Sequence, residues 1–458
     1  MQLATKNDLS GLTLVLAILF MITLFAPLPY YLLAEQSRVV INEETGLDGK
    51  FVGNVPENQE QEGYLEEQVA GGDNPDANWP GDGEVEDQPE IGEVALNFLY
   101  PDAVRGIYVT GNTVGVARFN RLLELVNSTD LNSMVIDIKE DLGYVTYRLK
   151  DTAFDDISKN YIKDPHTMME TLAENNIYPI ARIVVFKDTV LANKKPEYSF
   201  LSNGAVWKNN RNEAFVSPFL PEVWEYNVAI AKKAAELGFP EVQFDYVRFP
   251  EGFEKRDRSL SYSMGNYSEE KLTERILREW EAQPVETRPL EPPAYSMGLA
   301  RVMAVTDFVA FAKKELEPYG VLVSVDIFGY SATIPAATGI GQNFLEISKH
   351  VDVISSMIYP SHWGLGYFGI AKPDTEPYRV IQEYMKAENE LLGQLENPPV
   401  SRPWIQDFTA SWLGAGNFIK YGKAEVDAQI RALHEAGIKE YLIWNASNSY
   451  TPNINHKP

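Results

Sequence analysis

The sequence predicts a (β/α)8 TIM barrel over residues 95–458, preceded by an N-terminal transmembrane helix within residues 1–34 and a disordered acidic linker over 35–94. Three observations lead there. From Ala95 onward, short β-rich runs alternate with amphipathic helical runs, the pattern of parallel βαβ units. Eight such strands can be counted. Links from helix to strand are short, whereas the long segments all follow strands, where barrel enzymes build their sites.

Taking the elements in order, Gly11 to Ala34 is uncharged for 24 residues, enough to cross a hydrocarbon core that needs about 20. A cleaved signal peptide is the competing reading, but its apolar core runs about 7 to 15 residues and ends in small residues. Leu32 before Ala34 fits that ending poorly. The expectation is therefore a single-pass anchor in the cell membrane with the C-terminal domain outside. Secretion after signal cleavage is the alternative, and export is common to both.

The stretch Glu35 to Val94 holds 17 acidic and two basic residues, most of the formal charge of −25. It has too few large apolar residues to offset the entropy of ordering, so it reads as a self-repelling spacer. An acidic balance argues against nucleic acid, whose phosphates call for a Lys/Arg surface. The chain has no cysteine, which removes disulfides, thiolate zinc sites and a cysteine nucleophile.

The first strand is expected at Gly106 to Thr110 with a helix near Val116 to Asn127, and the second at Ser133 to Ile138 with a helix near Pro165 to Asn175. Tyr178 to Val185 is the third, followed by a helix from Pro221 to Leu237. The fourth, Glu241 to Val247, and the fifth, Val321 to Ile327, lead to helices near Leu299 to Leu316 and Gln342 to Ser348. Val351 to Tyr359, Pro403 to Phe408 and Glu440 to Trp444 complete the set, with helices near Tyr378 to Leu392 and Glu425 to Ala436 between them. Gly238, Gly320 and Gly437 mark helix ends. The long segments Phe186 to Pro218, Phe249 to Met297 and Pro360 to Asp374 all leave strand C-termini. A doubly wound open sheet alternates in the same way and is the fold alternative; eight βα repeats without a Gly-rich phosphate fingerprint after the first strand favour the closed barrel.

Inward positions recur every second residue on a barrel strand, so the last one or two point into the cleft. Asp245 ends the fourth strand, with Gln243 in phase and Phe244 facing the helices. Asp326 ends the fifth, with Ser324 beneath it. Two carboxylates on neighbouring strands about 4.8 Å apart suit glycoside hydrolysis, which needs one protonated acid and one carboxylate acting as nucleophile or base. The expected roles are Asp245 as nucleophile or base and Asp326 as general acid, with the reverse assignment open.

Asp137 closes the second strand, with Lys139 in phase, and reads as a sugar-hydroxyl ligand, a third acid, or the ion-pair partner of Lys139 or Arg182. Arg182 either orients a catalytic carboxylate or balances the acids. Arg248 is read as a charge partner of Asp245. Flat side chains that can pack on sugar CH faces come from Tyr359, Trp363 and Tyr367 after the sixth strand, with His362 beside them. Trp404, Gln406 and Asp407 close the seventh strand, Trp412 follows, and Trp444 with Asn445 ends the eighth. The five histidines form no zinc spacing, and no nucleophile elbow or P-loop occurs, so neither metal nor cofactor is expected.

The phrases RGIYVTG, MVIDIKEDLG, FDYVRFP, VDIFGY, ISSMIYPSHW and RPWIQDF, in order from about Val104 to Tyr450, resemble the putative glycosyl hydrolase domain family of uncharacterised exported bacterial proteins. The resemblance implies a TIM-barrel glycosidase-like domain, distantly similar to the α-amylase clan. That clan places an aspartate nucleophile where Asp245 stands, usually with Arg at the position of Gln243, and a glutamate acid where this chain has the shorter Asp326. Together these readings point to a glycoside hydrolase acting on a polysaccharide or oligosaccharide at the cell envelope or outside it. The alternatives are a catalytically silent barrel that binds glycan or tethers envelope components, and a carboxylate–metal hydrolase.

Overall fold

The computed structural model describes residue 96 and residues 98–149 and 153–458. The expected membrane helix and acidic linker lie outside the described residues. Among the described residues no helix is long and apolar enough to cross a membrane.

Eight parallel strands form the barrel: β1 Arg105–Val109, β2 Ser133–Lys139, β3 Tyr178–Val184, β4 Glu241–Asp245, β5 Leu322–Phe328, β6 Val353–Met357, β7 Trp404–Gln406 and β8 Tyr441–Trp444. Each pairs with its neighbours in sequence order. Closure is shown by Trp404 of β7 pairing with Met357 of β6, and by Arg105 of β1 pairing with Tyr441 of β8. A lead-in, Val400–Ser401, pairs with Val353 and Ile354 before the chain breaks at Arg402 and Pro403 to enter β7. The open-sheet alternative is thereby excluded.

Seven crossover helices follow the first seven strands: α1 Arg118–Asn127, α2 Pro165–Glu174, α3 Pro221–Glu236, α4 Met297–Leu316, α5 Phe344–Ser348, α6 Pro377–Leu392 and α7 Lys423–Glu435. Local chemistry sets their ends. The Asp164 side chain accepts from the Thr167 N–H with Pro165 at the first helical position of α2, and Ser296 and Asn343 cap α4 and α5 in the same way. Gly238 follows α3 at φ +104°, a conformation open to glycine and costly for a residue with Cβ.

β1 to β4 are buried along their whole length. This follows from their position, since one face meets the barrel interior and the other the helix layer. Phe244 shows the outer face, its ring 5.5 Å from that of Phe308 on α4. The N-terminal end of the barrel is closed by a buried ion network. Arg402 bonds Glu241 at 2.7 Å, Glu440 at 2.8 Å and the Tyr100 hydroxyl at 2.8 Å, while Ser324 donates to Glu241 at 2.6 Å.

The loops at the opposite end carry the excess length. Between β3 and α3 lie helix Thr189–Lys194 and the hairpin Leu201–Ser202/Ala205–Val206. Within the segment between β4 and α4, Glu269–Tyr295 separates from the barrel as part of a second compact unit. In it, helix Glu269–Glu281 presents Trp280, whose indole donates to the Pro289 carbonyl at 2.9 Å and lies 4.2 Å from the Arg288 guanidinium.

Candidate active site

Arg182, 1% exposed, is the centre of the C-terminal end of the barrel. Register places it level with Asp137 on β2 and Gln243 on β4, and Asp245 lies two residues beyond Gln243. Its Nε and Nη2 both donate to Asp245 Oδ2, at 2.9 and 2.6 Å. Nη1 donates to Asp137 Oδ1 at 2.7 Å and Nη2 to Asp141 Oδ1 at 3.0 Å. One guanidinium fork thus ties the ends of β2 and β4 to the loop after β2, geometry a point-charge lysine could not reproduce. The guanidinium beside Asp245 comes from β3, and position 243 on its own strand is Gln.

Asp245 accepts a further bond on Oδ1, from the backbone N–H of Tyr246. These are the hydrogen bonds of a carboxylate rather than of a carboxylic acid. Asp326 on the adjacent strand has different surroundings. Its Oδ1 accepts from the Trp404 indole N–H at 2.7 Å, and Oδ2 has no hydrogen bond among the described residues. Burial, followed by the nearby charge of Asp245, pushes its carboxyl well above the usual carboxylate range, against the pull of the Trp404 bond. Burial also raises Asp137, to about 6, although Arg182 opposes the rise. The Tyr108 hydroxyl donates to Asp137 Oδ2 at 2.5 Å.

Aromatic rings wall this acid cluster. Tyr108 stacks on Trp444 at 4.1 Å, and Trp444 meets Trp404 edge-on at 5.5 Å. The Arg182 guanidinium lies 5.5 Å from the Tyr108 ring and 5.6 Å from that of Trp444. Tyr359 is buried, and its hydroxyl is held well above the usual phenol range by burial and then by the charges of Asp326 and Asp245. His362 and Phe408 pack on Tyr359 at 5.0 and 5.8 Å. Burial lowers His362 to about 4, so its ring is neutral and serves as a polar aromatic surface.

Other residues expected at the site lie elsewhere. Lys139 is not in phase with Asp137, because β2 is irregular between them. Its ammonium, fully buried, pairs with Asp188 at 2.7 Å beside the Tyr226 ring of α3, in the helix layer. Arg248 contacts Glu251 at 3.4 Å and the Tyr246 and Phe328 rings, so Asp245 receives its countercharge from Arg182. Trp363 packs against Tyr367, Phe368 and Tyr384 of α6. Gln406 is consumed by Ser361, Asp374 and Phe408, Asp407 by Thr451, and Asn445 by Asp407, Ser447 and Ser449. These three fasten loops that frame the site.

The structure adds Tyr108, Asp141, Lys187 and Tyr246, and makes Trp404, expected as a ring at the end of the seventh strand, a hydrogen-bond donor to Asp326. Tyr108 was legible by the alternation that marks Asp245, since it lies in phase one residue from the end of β1. The bond from Trp404 to Asp326 spans 78 positions and leaves no local signal. Among the described residues no group of three or more His, Cys, Asp or Glu side chains is disposed to hold a metal ion.

A family model described as "Putative glycosyl hydrolase domain" matches residues 106–450. No curated protein matches the chain. Among solved structures, the glycoside hydrolase domain of PgaB (BpsB) from Bordetella bronchiseptica aligns with a TM-score of 0.52 and 13% identity, covering 75% of this chain and 94% of that one. A hypothetical protein from Ruminiclostridium thermocellum ATCC 27405 is 32% identical over 48% of this chain and 96% of its own, with a TM-score of 0.37. The α-galactosidase TtGalA from Thermus thermophilus aligns at 10% identity and a TM-score of 0.43, over 78% of this chain and 60% of that one.

Proposed function

The chain belongs to the family described as "Putative glycosyl hydrolase domain", and on that premise we propose that it hydrolyses glycosidic bonds of a polysaccharide or oligosaccharide with Asp245 and Asp326. One observation carries the proposal: two carboxyls end neighbouring strands in opposite surroundings. Asp245 is clamped by a guanidinium, and burial raises the Asp326 carboxyl well above the usual carboxylate range. Asp326 gives its proton to the leaving oxygen, and Asp245 attacks the anomeric carbon or activates a water there. Adjacent strands about 4.8 Å apart favour the close spacing of a retaining mechanism. Tyr108, Tyr359, His362 and Trp444 supply ring surface for the sugar. Export through the segment Gly11 to Ala34, retained as an anchor, would present the barrel to envelope or extracellular glycans.

The test is release of reducing sugar from a panel of glycans by wild type, Asp245→Asn and Asp326→Asn. Both variants should lose about 10³-fold or more in kcat while melting within a few degrees of wild type. A glycan cleaved equally by wild type and Asp245→Asn would refute the assignment. Binding by a wild type that cleaves nothing would favour a silent glycan-binding barrel.

A further inference from the structure

Tyr246, the residue after Asp245, has φ +51°. A non-glycine residue enters this left-handed region at a cost of about tenfold in population, and such backbone persists where its surroundings over-determine it. Here they do. The carbonyl of Tyr246 accepts from Arg248 N at 2.9 Å and from Phe186 N at 3.3 Å. Its ring has two cations within 5 Å, Lys187 Nζ at 4.5 Å and the Arg248 guanidinium at 4.9 Å from the centroid. Lys187 also donates to the Tyr246 hydroxyl at 3.3 Å. It is itself fixed by Asp141 at 3.1 Å and Glu213 at 2.8 Å, and Arg248 is anchored on the Phe328 ring at 4.4 Å.

The consequence falls on Asp245. The Tyr246 N–H donates to Oδ1, while Arg182 holds Oδ2, and the peptide that carries this N–H is anchored from its far side by the fixed ring and carbonyl of Tyr246. Both oxygens of the carboxylate are then oriented, one by a guanidinium and one by a backbone amide. The loop acid Asp141 serves both supports, since it bonds Arg182 and Lys187.

We propose that Tyr246 is a positioning residue: its ring, gripped by Lys187 and Arg248, holds residue 246 in place, and with it the peptide whose N–H bonds Asp245, and so fixes that carboxylate for reaction. This rests on the reading of Asp245 as a reacting group. A misplacement of about 1 Å at such a group costs on the order of 10²-fold in rate, so the support acts on kcat rather than on substrate binding.

Four variants of the full chain test it, Tyr246→Phe, Gly, Ala and Val, read by kcat and KM on a cleaved glycan and by hydrogen exchange of the residue 246 amide without substrate. Ala and Val lack the ring and favour negative φ. They should lose about 10- to 100-fold in kcat with KM within about twofold, and lose amide protection. Phe keeps the ring and should restore most of both. Gly keeps access to positive φ and should fall between Phe and Ala. Wild-type kcat and protection in Ala, or Phe as impaired as Ala, would overturn the inference. Protection that follows the expected order in a protein cleaving no glycan would sustain the positioning geometry and remove the hydrolase reading; cleavage untouched by Ala would do the reverse.

Discussion

Replacing Arg182 by Met probes the site through stability. Arg182 makes four hydrogen bonds of 2.6 to 3.0 Å to Asp137, Asp141 and Asp245, whose side chains are 4, 15 and 7% exposed. Charge-assisted bonds contribute about 1.5–3 kcal/mol each, but desolvation of the guanidinium offsets much of that sum. Removing one partner of a buried ion cluster leaves uncompensated charge and costs about 3–5 kcal/mol. At about 2 °C per kcal/mol for a domain of this size, Tm at pH 7 should fall by about 6–10 °C. The loss should shrink when Asp137 is also made Asn, because one orphaned charge is then gone, by a coupling of about 0.5–3 kcal/mol. Calorimetry on wild type, both single variants and the double variant measures the cycle. Arg182→Met within about 1 kcal/mol of wild type, or a double variant no better than additive, would refute the account of three acids held by one guanidinium.

The pH dependence of stability should carry the signature of Asp137. Its carboxyl is raised from 3.8 to about 6 in the folded state, so its stabilising contribution is full below pH 4 and is lost as pH rises through 6. About 3 kcal/mol separates these limits, and chemical denaturation of Asp137→Asn at pH 4 and 7 should lack that slope. Trp404→Phe removes the bond that favours ionised Asp326. The alkaline limb of the pH–activity profile should therefore move to higher pH, and an unmoved limb would count against Asp326 as the acid. Arg402→Met, at the closed end of the barrel, should destabilise by about 3–5 kcal/mol while kcat/KM stays within about twofold; a large loss of activity in the folded variant would contradict the separation of the two ends.

Much of the architecture was legible because it depends on short-range chemistry. All eight strands appear within two residues of their expected starts, since β-rich runs and turn residues mark them locally. The asymmetry of loop lengths marked the end of the barrel where Asp137, Arg182, Asp245 and Asp326 gather. Alternation placed Asp137, Asp245 and Asp326 at strand ends, and the same rule put Phe244 against the helices.

The partnerships were not legible. Alternation put Lys139 in phase with Asp137 until an irregularity in β2 turned it to Asp188. Proximity in sequence suggested Arg248 for Asp245, but Arg182 reaches it across 63 positions. Gln406, Asp407 and Asn445 had the chemistry of sugar ligands and were taken by loop hydrogen bonds instead. The sequence by itself determined the alternating strands, the acidic strand ends and the side of the barrel on which they gather. Only the tertiary structure decided which acid is clamped by a guanidinium and which has its carboxyl raised by burial, because the Asp137–Arg182–Asp245 contacts and the surroundings of Asp326 depend on the register and closure of strands far apart in the chain.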